Sequence, residues 1–498
     1  MSFDNRPMFA TGPPPTKNII IDGVLRFPLI GTKVLVVGSG AGGLMTALEC
    51  WRKGMEVEVI EKSDKISALG DIFGLGPSAL TTFHCYPSML KEYDEIGRDA
   101  LISFHDRSGK QLFPPLEYEW NQKGVAQHSA YPLRIKTLLG RYDCAMMLFR
   151  QCKRLNIPVT FGVTVNGYEE DTTKGNATAV ASDGRRFTAD VVIAADGIGT
   201  KSHAVTLGKP VKAMKTGYVT YRIMYSTERL KGVAVAEEAI RNVERPILMI
   251  LQGEKVHCVT SLSKEYVTVA VTAENDDMTV TESWSSTVPN EDALSSLQEP
   301  ETWSPFVREV IRHTPEGKVV KWSLVFRDPQ PRWTSSGGRI VQVGDSAHSF
   351  LPTSGNGAVQ ALEDAASLAE CLRLAGKGDV RIATKVHELL RYQRVSLIQH
   401  TGYVNMQDVH READSTVTED NHPMHQGKWL WAHNPEKYAT ENFVKGRAHL
   451  ENGEPFENTN LPVGHKWSDW TVEDELAKHR AGISTTQALK NNGDWSLT

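Results

Sequence analysis

Residues 33–61 read KVLVVGSGAGGLMTALECWRKGMEVEVIE, and this stretch decides the fold class. Its first five residues are almost unbroken apolar chain, the pattern of a parallel strand buried on both faces. Gly38-Ser39-Gly40-Ala41-Gly42-Gly43 follows without a gap and opens a helix through Leu44, Ala47, Leu48 and Trp51 that ends near Gly54. A second apolar strand then delivers Glu61 at its end. Glycines between strand and helix, with an acid closing the next strand, are the arrangement that holds a dinucleotide. Each residue type has a task. Gly38 permits the tight turn, Gly40 lets the backbone approach a pyrophosphate, and Gly43 lets helix and strand pack closely. The Glu61 carboxylate can accept hydrogen bonds from a ribose diol.

Residues 339–364, RIVQVGDSAHSFLPTSGNGAVQALED, repeat the logic further along. A short strand containing Ile340, Val341 and Val343 presents Asp345. Pro352 and the Gly355-Asn356-Gly357 loop then lead into a helix starting near Ala358 and continuing past Cys371. A third acid–glycine pair, Asp196-Gly197, closes the buried strand DVVIAA at 190–195. The G-x-G-x-x-A string at 74–79 is no second fingerprint, because Pro77 interrupts it and no apolar strand precedes it.

Between these parts the pattern changes. Segments 217–225, 247–251, 256–261 and 267–273 alternate as an antiparallel sheet with one exposed face does. Helices are expected over 135–155, 302–312 and 380–410, and a strand over 319–325. Beyond 414 the chain is polar, and Trp429, Trp431, Trp467 and Trp470 are expected to pack this tail onto the inserted sheet or a partner subunit.

The bulk properties exclude several classes. A chain of 498 residues with 40% hydrophobic and 23% charged content suits a soluble enzyme of several domains. A net charge of −5 points away from nucleic acid as a partner. The N-terminus is polar and proline-rich and no run reaches the length of a membrane span, so a cytoplasmic protein is expected. Six scattered cysteines without a C-x-x-C read as reduced thiols. No His/Asp/Glu grouping has metal spacing and no G-x-S-x-G elbow is present, so neither a metal nor a serine nucleophile is expected.

Taken in order, Gly38-x-Gly40-x-x-Gly43 with Glu61, Arg141-Tyr142-Asp143 at a helix start, Asp196-Gly197, and Gly344-Asp345 with Pro352 and Gly355-Asn356-Gly357 carry a family resemblance. Over residues 33–399 the chain resembles the single-component FAD-dependent aromatic hydroxylases, the group A flavoprotein monooxygenases. Within them it looks most like the salicylate-hydroxylase-like branch of fungal natural-product pathways. The resemblance implies an α/β fold in which a Rossmann-like FAD-binding domain carries an inserted antiparallel β-sheet substrate domain, as in p-hydroxybenzoate hydroxylase, with a C-terminal helical segment. The implied order is a flexible extension (1–32), FAD-binding parts (33–82, 133–205, 335–380), substrate-domain parts (83–132, 206–334), a helical segment (381–413) and a polar tail (414–498).

The resemblance also implies site roles. Glu61 would hold the adenosine ribose, and Gly74 would lie near the cofactor. Arg141 would meet the ribose and pyrophosphate, with Arg134 as the competing candidate. Asp196 would serve FAD and the passing nicotinamide, Asp345 the ribityl hydroxyls, and the amides around Gly357 and Ala358 the pyrimidine edge of the flavin. Arg222 would orient the substrate. His203 stands where the family often has an arginine, and Thr260 and Ser261 where several relatives place a tyrosine. The implied reaction uses FAD, with NAD(P)H as co-substrate. One oxygen atom of O2, carried by a flavin C4a-hydroperoxide, enters an aromatic, indole or polycyclic natural-product intermediate. The outcome is hydroxylation, epoxidation or oxidative rearrangement, performed by a monomer or homodimer. A reductase on the same scaffold, without oxygen transfer, is the alternative.

Overall fold

The structure, a computed structural model, describes residues 17–67, 71–126, 134–275, 286–410, 424–481 and 485–496, with residues 128, 418, 422 and 483 between them. Its centre is a five-stranded parallel sheet. In spatial order the strands are Val159–Thr160, Glu56–Ile60, Lys33–Val37, Val191–Ala194 and Ile340–Gln342. The chain leaves Lys33–Val37 in one direction and later returns on its other side. A crevice therefore opens at the carboxyl ends of Lys33–Val37 and Val191–Ala194, the place where such sheets bind ligands. The unbroken apolar run is explained by burial on both faces. Val34 and Val36 pack among Leu44, Met45 and Leu48 of the Ala41–Arg52 helix, whereas Leu35 and Val37 pack against Tyr168, Ala177 and Ala179. The latter three belong to a three-stranded antiparallel sheet of Val165–Asp171, Asn176–Ala181 and Arg186–Ala189.

The inserted part is a seven-stranded sheet ordered Thr287–Val288, Val319–Phe326, Met214–Ser226, Tyr266–Glu274, Val256–Leu262, Ile247–Gly253 and Leu101–Asp106. All pairs are antiparallel except the last, where Leu101–Asp106 joins Ile247–Gly253 in parallel. One face packs Val267, Val269, Val271 and Cys258 against Phe306, Val307 and Val310 of the Pro305–Arg312 helix. The other face turns toward the nucleotide fold.

Three expectations need correction. The helix expected over 135–155 begins only at Arg141, because Leu138–Gly140 pairs as a strand with Ile72–Gly74. Within the segment assigned to the substrate sheet, the Pro87–Ile96 helix buries Met89 and Tyr93 in the core of the nucleotide fold instead. Residues 17–32 are no loose extension. Ile19–Ile21 and Val24–Arg26 form a hairpin, and Arg26 donates to the carbonyls of Trp51 (3.1 Å) and Met55 (2.8 Å). Residues 1–16 lie outside the described residues. The tail contains the Pro435–Asn452 helix, whose Glu436 pairs with Arg52 at 2.5 Å and with Lys53. That helix is held by these ion pairs as well as by the buried Ala439 and Phe443.

The tail docks through Trp470, which stacks on His400 at 4.4 Å and meets Phe326 at 5.9 Å, and through Glu119. The buried Glu119 carboxylate accepts hydrogen bonds from the amides of Gln426 (2.6 Å) and Gly427 (3.0 Å) and from the Trp431 indole (3.1 Å). Beneath the tail, the Gly357–Ala375 and Val380–Val409 helices are joined by buried charges. Arg391 donates to Asp364 (2.9 Å) and Glu363 (2.5 Å), and Arg394 donates to both oxygens of Glu363 (3.0 and 3.1 Å). Arg394 also donates to the carbonyls of Trp429, Leu430 and Asn460. Burial alone would push the Glu363 carboxyl up, but Arg394 and Arg391 hold it well below the ordinary range.

Two stability predictions rest on these contacts. Replacing Arg394 by methionine leaves part of the Glu363 charge buried without its partner and should cost about 3–5 kcal/mol, read as a lower chemical-denaturation midpoint. Burial raises the Glu119 carboxyl from 4.5 to about 7, against the opposing pull of the Gln426 and Gly427 amides and the Trp431 indole. A raised folded-state pKa contributes stability that is fully present below pH 4.5 and lost as pH rises through about 7. Melting temperature should therefore decline over that window in the wild-type protein, with a shallower slope in Glu119→Gln.

Candidate active site

At the nucleotide end, Gly38 has φ +110°, and a Cβ there would lie 2.3 Å from the Ala195 carbonyl oxygen. At Gly43 a Cβ would lie 2.1 Å from the Gly38 carbonyl oxygen. Both positions are closed to any side chain. Gly40 is the opposite case: a Cβ there would meet nothing within 4 Å, so the loop leaves room above the start of the Ala41–Arg52 helix. Glu61 braces this loop. One oxygen accepts from the Ser39 amide (2.8 Å) and hydroxyl (3.0 Å), the other from the Ser63 amide (2.9 Å). Lone pairs remain on the carboxylate for a further donor.

Arg141 is exposed at the head of its helix, and its amide donates to the Asp71 carbonyl at 2.8 Å. Arg134 is engaged elsewhere, with Asp99 (2.8 Å) and Glu117 (3.0 Å), both shared with Arg245. Gly74 lies on the Ile72–Gly74 strand, next in sequence to Asp71.

At the other end of the crevice, Asp345 is exposed between the buried Gly344 and Ser346. It is reached by solvent yet surrounded by protein, as befits a residue on the wall of a deep cleft. That surrounding raises its carboxyl, while His348, Arg141 and Arg327 pull it down. The turn carrying it is held from behind, because Asp364 accepts from the Gly344 amide (3.0 Å) and bonds His348 at 2.6 Å. Asp196 is a brace: it accepts from Tyr168 (2.6 Å) and from Ser346 (3.1 Å), whose hydroxyl in turn accepts from the Gly197 amide (2.9 Å). Pro352–Ser354 then forms a single turn, Gly355 adopts φ +63°, and the helix starts at Gly357. The first amides of a helix have no partner within it and carry the positive end of its dipole. In this helix the first two are those of Gly357 and Ala358.

These features fit FAD: an open glycine loop at a helix start for the pyrophosphate, an acid for hydroxyls, and a second helix start for an electron-rich ring edge.

Facing this cleft, one ladder row of the inserted sheet reads Phe104, Ile250, Val259, Ala270, Arg222 and Val320. Val259, Ala270 and Arg222 are only half-buried, whereas Cys258, Val269 and Val271 on the opposite face are fully buried. The row is an apolar surface carrying one cation. Arg222 pairs with Asp71, the same residue whose carbonyl receives the Arg141 amide. Ser261 lies on this face and Thr260 on the other, so no phenol hydroxyl from that strand points at the cleft. His203 is buried, and burial together with Arg327 lowers its imidazole to about 4, so it supplies no cation in place of the family's arginine. Sequence reasoning missed Asp71, Tyr168, Ser346 and Glu119. Each acts through a partner distant in the chain, and only Ser346 stands beside a motif residue, Asp345.

Comparison with known proteins agrees with this geometry. Residues 31–383 match the FAD binding domain family. The FAD-dependent monooxygenase fsr3 of Gibberella fujikuroi is 35% identical over 492 residues, covering 95% of this chain and 91% of the relative. The FAD-dependent monooxygenase mdpD of Emericella nidulans is 36% identical, covering 95% and 92%. Among solved structures, CtdE in complex with FAD and a substrate superposes with TM-score 0.76 at 29% identity, covering 84% of this chain and all of CtdE. A salicylate hydroxylase substrate complex shares the fold, with TM-score 0.64 at 20% identity. The chain belongs to the FAD-binding family of flavoprotein hydroxylases. It is an FAD-dependent monooxygenase with the Rossmann-like and inserted-sheet fold expected of that group.

The glycine geometry yields a direct test. Gly43→Ala should be purified with little or no flavin, as judged by the ratio of visible to ultraviolet absorbance, whereas Gly40→Ala should retain it more nearly because its Cβ meets no protein atom.

Proposed function

We propose that this enzyme uses NAD(P)H and O2 to add one oxygen atom to an aromatic, indole or polycyclic natural-product intermediate. The substrate lies between the Gly355–Ala358 turn and the sheet row that carries Arg222. The observation that carries this reading is the row itself, in which the half-buried apolar Val259 and Ala270 adjoin the guanidinium of Arg222. A relative named notoamide E oxidase, notB of an Aspergillus species, is 32% identical over 87% of this chain and 94% of its own. Its name supports oxidation of a natural product as the class of reaction.

FAD, when bound, supplies hydride acceptance and oxygen activation. The protein's own residues do the rest. Gly38, Gly40 and Gly43 admit the pyrophosphate, Glu61 and Arg141 take the adenosine side, and Asp345 takes the ribityl chain. Asp196 holds the Gly197 and Ser346 backbone in register rather than offering a free carboxylate. The Gly357 and Ala358 amides stabilise negative charge at the ring's pyrimidine edge. Pro352 and Gly355 shape the turn that aims them. Phe104, Ile250 and Val259 exclude water from the reacting face. Arg222, positioned by Asp71, orients an anionic or phenolic oxygen of the substrate so that an electron-rich ring carbon faces the flavin.

The test is substrate-stimulated NADPH oxidation with oxygen uptake and a one-oxygen mass gain in the product. Arg222→Ala should lower kcat/KM roughly ten- to a hundredfold with unchanged flavin content, in keeping with loss of one charge-assisted contact. Normal turnover by that variant would remove Arg222 from the site, and NADPH oxidation without oxygen uptake for any substrate would refute monooxygenation.

A further inference from the structure

Among the described residues, the tail meets the Pro352–Gly355 turn through the side chains of Met424 and Gln426. The Met424 methyl carbon lies 3.2 Å from where a Cβ of Gly355 would stand, and Gly355 is exposed with φ +63°. The same side chain packs on the cluster that holds Phe104 and Ile250, the apolar end of the sheet row opposite Arg222. Met424 therefore meets both the turn assigned to the flavin ring and the apolar cluster at the Phe104–Ile250 end of the row, and it remains half-buried. Its backbone is firmly placed. The amides of Gln426 and Gly427, just beyond it, donate to Glu119, and the Gln426 side chain donates to the Ser354 carbonyl at 3.1 Å. A flexible, polarisable thioether on a fixed backbone suits a wall that must fit a planar ring of particular width.

We infer that Met424, contributed by the C-terminal tail, closes the end of the substrate chamber remote from Arg222 and sets how many fused rings the enzyme accepts. This deepens the proposed function and rests on its placing of the Gly355–Ala358 turn at the flavin ring. The tail thereby becomes part of the active site, and its tryptophans and Glu119 serve to hold Met424 in place.

The experiment uses flavin-loaded enzyme and a series of hydroxylated aromatics of increasing width: phenol, naphthol and anthrol. Their binding is read from the perturbation of the flavin absorbance spectrum. In Met424→Ala the preference should move toward the wider rings by roughly tenfold in the ratio of dissociation constants, the scale on which apolar pockets discriminate one or two carbons. Met424→Phe should move it the other way. Flavin content and melting temperature report folding, and they are expected to stay near wild-type values in at least the alanine variant. Gly357→Ala, whose Cβ would meet Phe350 at an ordinary 3.5 Å and has no Met424 atom among its nearest neighbours, checks the underlying reading through the shape of the bound-flavin spectrum. If both Met424 variants keep the wild-type ratio while Gly357→Ala alters the flavin spectrum, Met424 is only a packing residue and the inference falls alone. If Gly357→Ala leaves the flavin spectrum unchanged, the turn is not at the ring and the inference falls with the reading beneath it.

Discussion

The buried pairing of Glu363 and Asp364 with Arg391 and Arg394 is the constraint on which the functional architecture depends. Two adjacent acids on one helix would be prohibitively costly in an apolar core unless each met a cation and further donors. Here each does. Asp364 shares its charge among Arg391, His348 and the Gly344 amide, so the turn presenting Asp345 is tied to the helix whose start faces the proposed flavin end of the cleft. Glu363 shares its charge between the two arginines, and Arg394 extends the network to three carbonyls of the tail. Exchanging such a cluster for apolar side chains need not destabilise a protein, but it would lose the directional bonds that set one element against another.

The second organising relation is between two sheets that do different work. The parallel sheet is covered on both faces and presents only its carboxyl ends, where acids and amides converge on a dinucleotide. The larger sheet buries one face against its own helices and leaves the other as a chamber wall. Asp71 joins them, with its carboxylate on Arg222 of the wall and its carbonyl on the Arg141 amide at the nucleotide end. Asp71 thus links the guanidinium on the sheet to the start of the Arg141–Arg154 helix.

Much of this was legible in the sequence. The βαβ unit was readable because its physics is local: burial on both faces dictates apolar runs, and backbone contact at Gly38 and Gly43 excludes every residue but glycine. The inserted sheet was readable from alternation. What escaped was long-range. The strand Leu101–Asp106 looked like one short apolar piece among several, and only its pairing with Ile247–Gly253 gives it a place. The helix expected from Ile135 starts later because Leu138–Gly140, apolar enough for either state, finds a strand partner in Ile72–Gly74. Asp196 looked like a ligand-facing acid, and the Tyr168 and Ser346 hydroxyls that occupy it are unpredictable from its neighbours. Glu119 and Met424 carry no motif at all, since much of what surrounds each of them lies far away in the chain.

The parallel edge strand has a consequence for how the molecule forms. Leu101–Asp106 is synthesised before a long stretch of nucleotide fold that must be traversed before Ile247–Gly253 exists to receive it. Closing so large a loop carries an entropic cost that no local contact offsets, and folds rich in such pairings form slowly. The strands of the two sheets alternate along the chain, so neither is made as one uninterrupted run. The seven-stranded sheet is complete only once Val319–Phe326 has emerged, and the parallel sheet only after Ile340–Gln342.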